Sequence, residues 1–141
     1  MLIVCVGNIC RSPMCEALLR RRLPSLEVRS AGLAALVGKP ADPSAVALMA
    51  ERGIDLSPHR ATQLTAALVG GVELVLVMER RHQAAVEALT PAARGRVHLL
   101  GRFGGFEVPD PYRKPREAFE ESLALIERGL DDYTKRFWSE T

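Results

Sequence analysis

Apolar residues gather along this chain into short runs that alternate with stretches of three-and-four spacing. The first run, Leu2-Ile3-Val4-Cys5-Val6, is continuous and rich in β-branched residues, which predicts a strand buried on both faces of a parallel sheet. Ser12-Pro13 then offers an N-cap residue next to the residue favoured at the first helical position. The spacing of Ala17, Leu18 and Leu19 carries a helix to Leu23, and Pro24 stops it. A second strand is expected over residues 27–31, and a helix over residues 42–52 closed by Gly53. Gly71-Val72 introduces a third strand at 74–78. A helix carrying Ala84, Ala85, Val86 and Leu89 comes next, then a fourth strand at 97–100. Phe119, Leu123, Ile126 and Leu130 step by three and four, the mark of a long amphipathic helix near the C-terminus.

Strands alternating with helices predict right-handed crossovers. The expected fold is α/β, a three-layer α/β/α arrangement around a four-stranded parallel sheet, with a phosphate-binding loop between the first strand and the first helix. Such sheets collect ligands at the carboxyl ends of their strands, and Cys5 stands at one such end, just before a helix N-terminus. With 141 residues, 48% of them hydrophobic, the chain suits one domain spanning residues 1–141. A formal charge of +2 argues against a dedicated nucleic-acid binder, while a mildly basic surface favours the approach of anions. The N-terminal apolar run is too short for a signal-peptide core or a bilayer span, so a cytoplasmic location without membrane insertion is expected. The three cysteines, at 5, 10 and 15, fit neither a disulfide framework nor zinc spacing, and point to thiol chemistry in a reducing compartment. His59, His82 and His98 share no ligand spacing, and neither metal nor cofactor is expected.

In Cys5-Val6-Gly7-Asn8-Ile9-Cys10-Arg11-Ser12, a cysteine and an arginine lie six positions apart across a loop. Val6, Gly7, Asn8, Ile9 and Cys10 can curl around one tetrahedral oxyanion. Gly7 can take a positive φ, Asn8 tolerates one, and successive N–H groups then turn inward as an anion nest. Arg11 can chelate two phosphate oxygens with its planar fork. The helix N-terminus and Arg11 favour a thiolate at Cys5, and the Ser12 hydroxyl can hydrogen-bond the sulfur and ease its later departure. A lone cysteine at a strand end is ordinarily a core residue; the eight-residue constellation is what argues otherwise. Further along, Glu107-Val108-Pro109-Asp110-Pro111-Tyr112 is a stiff, proline-flanked loop. An aryl phosphate needs a proton on its departing oxygen, and a carboxyl beside a bound dianion keeps its proton, so Asp110 is the candidate general acid. Without the cysteine loop, Asp-Pro would read as a turn.

The loop from Cys5 to Pro13, together with Asp110-Pro111-Tyr112, resembles the low-molecular-weight protein tyrosine phosphatase family, in order and spacing over nearly the whole chain. The resemblance implies a four-stranded parallel sheet flanked by helices, no metal, and a cysteinyl-phosphate intermediate on Cys5, hydrolysed with Asp110 acting in turn as base. It implies that Arg11 binds phosphate, Ser12 assists the thiolate, and Ser30 and His59 hold Asn8 in an unusual conformation. From the residues alone, His59 reads equally as a surface histidine after Ser57-Pro58. By the same resemblance Cys10 traps an oxidised Cys5 as a disulfide; its other reading is loop packing. Cys15 reads as core, and Tyr112 either walls the substrate cleft or covers the helix start.

The segment from Ser30 to Val37 is similar to the bacterial exopolysaccharide-associated branch, where aliphatic residues replace a tryptophan of the eukaryotic-type substrate loop. The single tryptophan here is Trp138, and Asp110-Pro111-Tyr112-Arg113 lacks the adjacent second tyrosine of many eukaryotic members. That branch implies a phosphotyrosine protein as partner, a tyrosine autokinase controlling polysaccharide export, with the substrate ring between Leu36 and Tyr112 and the phosphatase a monomer or weak dimer. Two rivals remain. An arsenate reductase of the same fold needs further redox cysteines, and none occurs after Cys15. A non-catalytic phosphotyrosine-binding module has no need of nucleophile, clamp and acid together.

Overall fold

The computed structural model describes residues 1–138. Strands β1 (Leu2–Cys5), β2 (Arg29–Gly32), β3 (Val75–Val77) and β4 (Val97–Leu99) alternate with helices α1 (Arg11–Arg22), α2 (Pro43–Ala50), α3 (Ala66–Gly70), α4 (Arg80–Leu89) and α5 (Arg116–Tyr133). A 3₁₀ turn at Pro91–Ala93 and a π-helical turn at Thr134–Trp138 complete the path. The sheet runs β2-β1-β3-β4 with every pairing parallel, as the alternation predicts.

Side-chain alternation divides the core into two layers. Leu2, Val4, Val75 and Val77 face one side and pack with Val69 of α3 and Val86 of α4. Ile3, Cys5 and Leu76 face the other and meet Met14 and Leu19 of α1, Met49 of α2, and Phe119 and Ile126 of α5. β1 thus lies inside the sheet with helices on both faces, and its carboxyl end is a rigid platform for the loop that leads from Cys5 to Arg11. No helix among the described residues is long and apolar enough to cross a membrane.

Several boundaries move, each for a local reason. β2 is displaced from 27–31 to Arg29–Gly32: the Met1 ammonium donates to the Glu27 carbonyl at 3.0 Å, and ladder pairing starts at Leu2 with Arg29. α2 starts at Pro43 with Asp42 as its cap, the carboxylate accepting from Ser44 N at 2.9 Å, and Gly53 turns the chain at φ 75° as expected. α4 begins at Arg80, ahead of its apolar stripe, because Glu79 and His82 form a reciprocal capping box. The five-residue α3, capped by Thr65, is too short to show a helical period, and nothing in the residue pattern predicts it.

One correction concerns Ser12. Cys10, not Ser12, occupies the cap position of α1, and no side chain caps that helix. The Ser12 hydroxyl is instead turned into the loop, so the first N–H groups of α1 have no side-chain acceptor and face the place where an anion would sit. A second correction concerns Gly7, whose φ is not positive; Asn8 alone in the loop takes the left-handed conformation. The glycine that the loop depends on is Gly32, where an added Cβ would lie 2.4 Å from the Val6 carbonyl. Only a residue without Cβ lets β2 pass this close beneath the loop.

Candidate active site

Asn8 is the pivot of the loop. Its φ of 58° costs a non-glycine residue about 1–2 kcal/mol, and four contacts hold it there. Asn8 Nδ2 donates to Ser12 Oγ at 2.7 Å and Ser30 Oγ at 3.0 Å, Oδ1 accepts from Thr62 N at 2.8 Å, and the carbonyl meets His59 Nε2 at 2.7 Å. Ser30 in turn donates to Glu16 Oε1 at 2.5 Å, and Glu16 pairs with Arg20 at 2.7 Å. Ser30 and His59, which the family resemblance alone links to Asn8, both contact it; Thr62 and Glu16 join them without a sequence signal. Ser12 Oγ, which accepts from Asn8 Nδ2, also lies within hydrogen-bond reach of Cys5 Sγ, 2.9 Å away.

Arg11 is 1% exposed, the largest fully buried side chain of the protein. Its Nη1 donates to Glu79 Oε2 at 2.6 Å and to the Val108 carbonyl at 2.8 Å, while Nη2 lies 3.8 Å from Asp110 Oδ2. One edge of the guanidinium is thus anchored to protein and the other is turned toward the pocket. Burial alone would raise the Glu79 carboxyl, but bonds from Arg81 and Arg11 outweigh it and bring its pKa down to about 2, so it is ionised opposite Arg11. His82, behind this pair, is held down at about 4 by burial and by Arg11, and is neutral at pH 7. Its Nδ1 accepts from Glu79 N at 3.2 Å, which places the ring proton on Nε2, 3.3 Å from Glu79 Oε2. Sequence reasoning missed Glu79. The visible signal was its spacing of three from His82 at the start of a helix.

The loop that carries Asp110 is fixed from both sides. Val108 N donates to the Met78 carbonyl at 2.9 Å beyond β3, and Ser122 Oγ of α5 donates to the Pro109 carbonyl at 2.7 Å. Asp110 Oδ1 accepts from Tyr112 N at 3.0 Å, which leaves Oδ2 to face Arg11 at the pocket mouth.

Cys5, Arg11 and Asp110 line one pocket of about 140 Å³. Val6, Gly7, Ile9 and Cys10 form its floor, and Ala34, Leu36 and Tyr112 its walls. Leu36 and Tyr112 are 41% and 38% exposed, so both stand at the rim, and Tyr112 walls the cleft. The wall segment is tied to the loop by Leu33 N to Cys5 O, Ala34 N to Val6 O and Leu36 N to Gly7 O, at 2.9–3.1 Å, while Gln63 clamps Ala35 N and the Leu33 carbonyl. Cys10 and Cys15 are free and buried, and burial first of all pushes both thiols up; Cys15 is core, as expected. Among the described residues no group of three or more histidine, cysteine and acidic side chains is placed to hold a metal.

Such a site can seat a tetrahedral dianion on backbone donors and Arg11, present it to a sulfur, and offer a carboxyl to whatever leaves. Comparison with known proteins gives the same direction. The chain is 53% identical over 135 residues to a probable low molecular weight protein-tyrosine-phosphatase, EpsP, of Ralstonia nicotianae, covering 96% of this chain and 93% of that one. It is 48% identical to the low molecular weight protein-tyrosine-phosphatase Wzb of Salmonella typhimurium, covering 95% and 91%. Among solved structures, Wzb of Vibrio vulnificus in complex with benzylphosphonate superposes with a TM-score of 0.92 at 42% identity, covering 96% of this chain and 97% of that one. With the low molecular weight phosphotyrosine protein phosphatase model matching residues 1–140, the chain belongs to that family.

Proposed function

We propose that this protein hydrolyses phosphotyrosine in proteins, with Cys5 as nucleophile, Arg11 as phosphate clamp and Asp110 as general acid and then base. The observation that carries the reading is the convergence of Cys5 Sγ, the free edge of Arg11 and Asp110 Oδ2 on one apolar-walled pocket. The Cys5 thiolate attacks phosphorus, the bond to the tyrosyl oxygen breaks, and Asp110 gives that oxygen its proton. Water then attacks the cysteinyl phosphate, Asp110 takes the water proton, and the thiolate departs, eased by Ser12. Val6 to Cys10 supply backbone donors, and Leu36 and Tyr112 enclose the aryl ring. The aliphatic wall at Ala34 and Leu36 supports the exopolysaccharide-associated branch, and with it a tyrosine autokinase as substrate. On this reading the chain works in the cytoplasm as one domain without cofactor.

Pocket depth decides the substrate. A phenyl ring carries the phosphate several ångströms beyond the reach of the single serine carbon, and near-attack geometry is worth roughly 7–11 kcal/mol. Phosphotyrosine peptides should therefore exceed phosphoserine peptides of the same sequence by orders of magnitude in kcat/KM. A ratio near one overturns the tyrosine assignment.

Asp110→Asn separates acid catalysis from binding. Its loss in kcat/KM, which reports the step that expels the aryl oxygen and not the later hydrolysis of the cysteinyl phosphate, should be smaller for para-nitrophenyl phosphate, whose leaving group is weakly basic, and reach roughly 10²–10⁴-fold for phenyl phosphate. Equal losses on both would remove Asp110 from the acid role.

A further inference from the structure

We propose that Arg113 forms an anion subsite beside the pocket, selecting phosphotyrosines flanked by an acidic side chain. This rests on the tyrosine phosphatase reading above and adds to it a choice among tyrosine substrates. Lys114 N donates to the Pro111 carbonyl at 2.9 Å, closing a four-residue turn in which Arg113 is the third residue, with φ 62°. A turn that needs a positive φ at its third position ordinarily carries glycine or asparagine there. Arginine at that position is strained, and strain of this kind gathers at sites where a side chain is needed.

The conformation puts the Arg113 guanidinium over the ring of Tyr112, with Cζ 5.2 Å from the centroid, and Tyr112 is itself a pocket wall. The stack fixes an otherwise mobile side chain at the rim, next to where the substrate ring enters. Arg11 pairs with Glu79, Arg80 with Glu107 and Arg116 with Glu51, whereas Arg113 has no carboxylate within 4.0 Å among the described residues. Its backbone carries no ladder or helix contact that would demand this residue type. A strained, stacked, unpaired guanidinium at the mouth of a phosphotyrosine pocket is placed to meet a carboxylate or a second phosphate on the same peptide.

The test compares kcat/KM for three phosphotyrosine peptides identical except at the residues flanking the phosphotyrosine, which are alanine, glutamate or a second phosphotyrosine. Each is measured with the parent protein and with Arg113→Gly at low and at moderate salt. An exposed pair of this kind is worth up to about fivefold, so the parent should favour the glutamate peptide over the alanine peptide by about threefold, more for the doubly phosphorylated one, mainly through KM and less at higher salt. In Arg113→Gly these ratios should fall to near one while the melting temperature rises, because glycine accepts the turn without strain. Unchanged ratios in the variant, a parent ratio near one, or a lower melting temperature would each overturn the proposal. Failure of the parent to turn over any phosphotyrosine peptide would instead overturn the proposed activity.

Discussion

Replacing Cys5 by serine is expected to abolish turnover, by about 10⁴-fold or more, and to leave a folded protein that still binds phosphate. A serine hydroxyl is a far weaker acid and a poorer nucleophile than a thiol, so the attack on phosphorus is lost. The binding parts survive the change: the α1 amides, the Asn8 clamp and Arg11 are all built from other residues. Cys5 is 3% exposed and isosteric with serine apart from the smaller atom, so the cavity left behind is slight. The two readouts are single-turnover kinetics with an aryl phosphate and calorimetric binding of inorganic phosphate. A substantial residual rate would remove Cys5 as nucleophile, and loss of phosphate binding would mean that the sulfur itself shapes the nest.

The parts of this site that can be read from the chain are those whose chemistry is local. A continuous β-branched run leading to a cysteine, five loop residues and an arginine places strand, loop and helix within a few positions of one another, and the structure keeps that order. Support that a loop borrows from distant segments leaves no such trace. Thr62 donates its backbone N–H to Asn8, and a backbone group has no residue signature. Glu79 reaches Arg11 across 68 positions, and only the parallel pairing of β1 with β3 brings them together. The two glycines differ in the same way. Gly7 has the freedom a nest needs, but the left-handed position is Asn8, whose amide makes bonds that a glycine could not. The glycine that matters is Gly32, one strand away, where the constraint is steric. Likewise Ser12-Pro13 matches the usual preference for a helix start, yet the serine serves the sulfur and leaves the helix end uncapped.

The second large effect is expected at Arg11, with Glu79 setting how it is read. Arg11→Lys should cost roughly 10²–10³-fold in kcat, the scale of losing one oriented transition-state donor, because a point charge cannot bond two equatorial oxygens while staying anchored. Anchoring is what separates the two side chains: Nη1 is committed to Glu79 and Val108, so only the opposite edge of the fork is free, and lysine has no second edge. Glu79→Ala should then resemble Arg11→Lys in rate and be worse in stability, by about 3–5 kcal/mol, since it leaves a buried guanidinium unpaired. Glu79→Gln keeps the volume and an acceptor but not the charge, and should fall between the parent and Glu79→Ala in rate. A pH signature separates electrostatics from packing. The Glu79 pKa lies at about 2 against an ordinary 4.5, a depression, so the stability the pair supplies is complete above 4.5 and is lost as pH falls toward 2. The parent should lose stability across that window more steeply than Glu79→Gln, measured by denaturant unfolding at pH 5, 4 and 3. Parallel curves for the two proteins, or near-normal kcat in Arg11→Lys, would show that Arg11 is held by packing alone and that its fork is not the phosphate clamp.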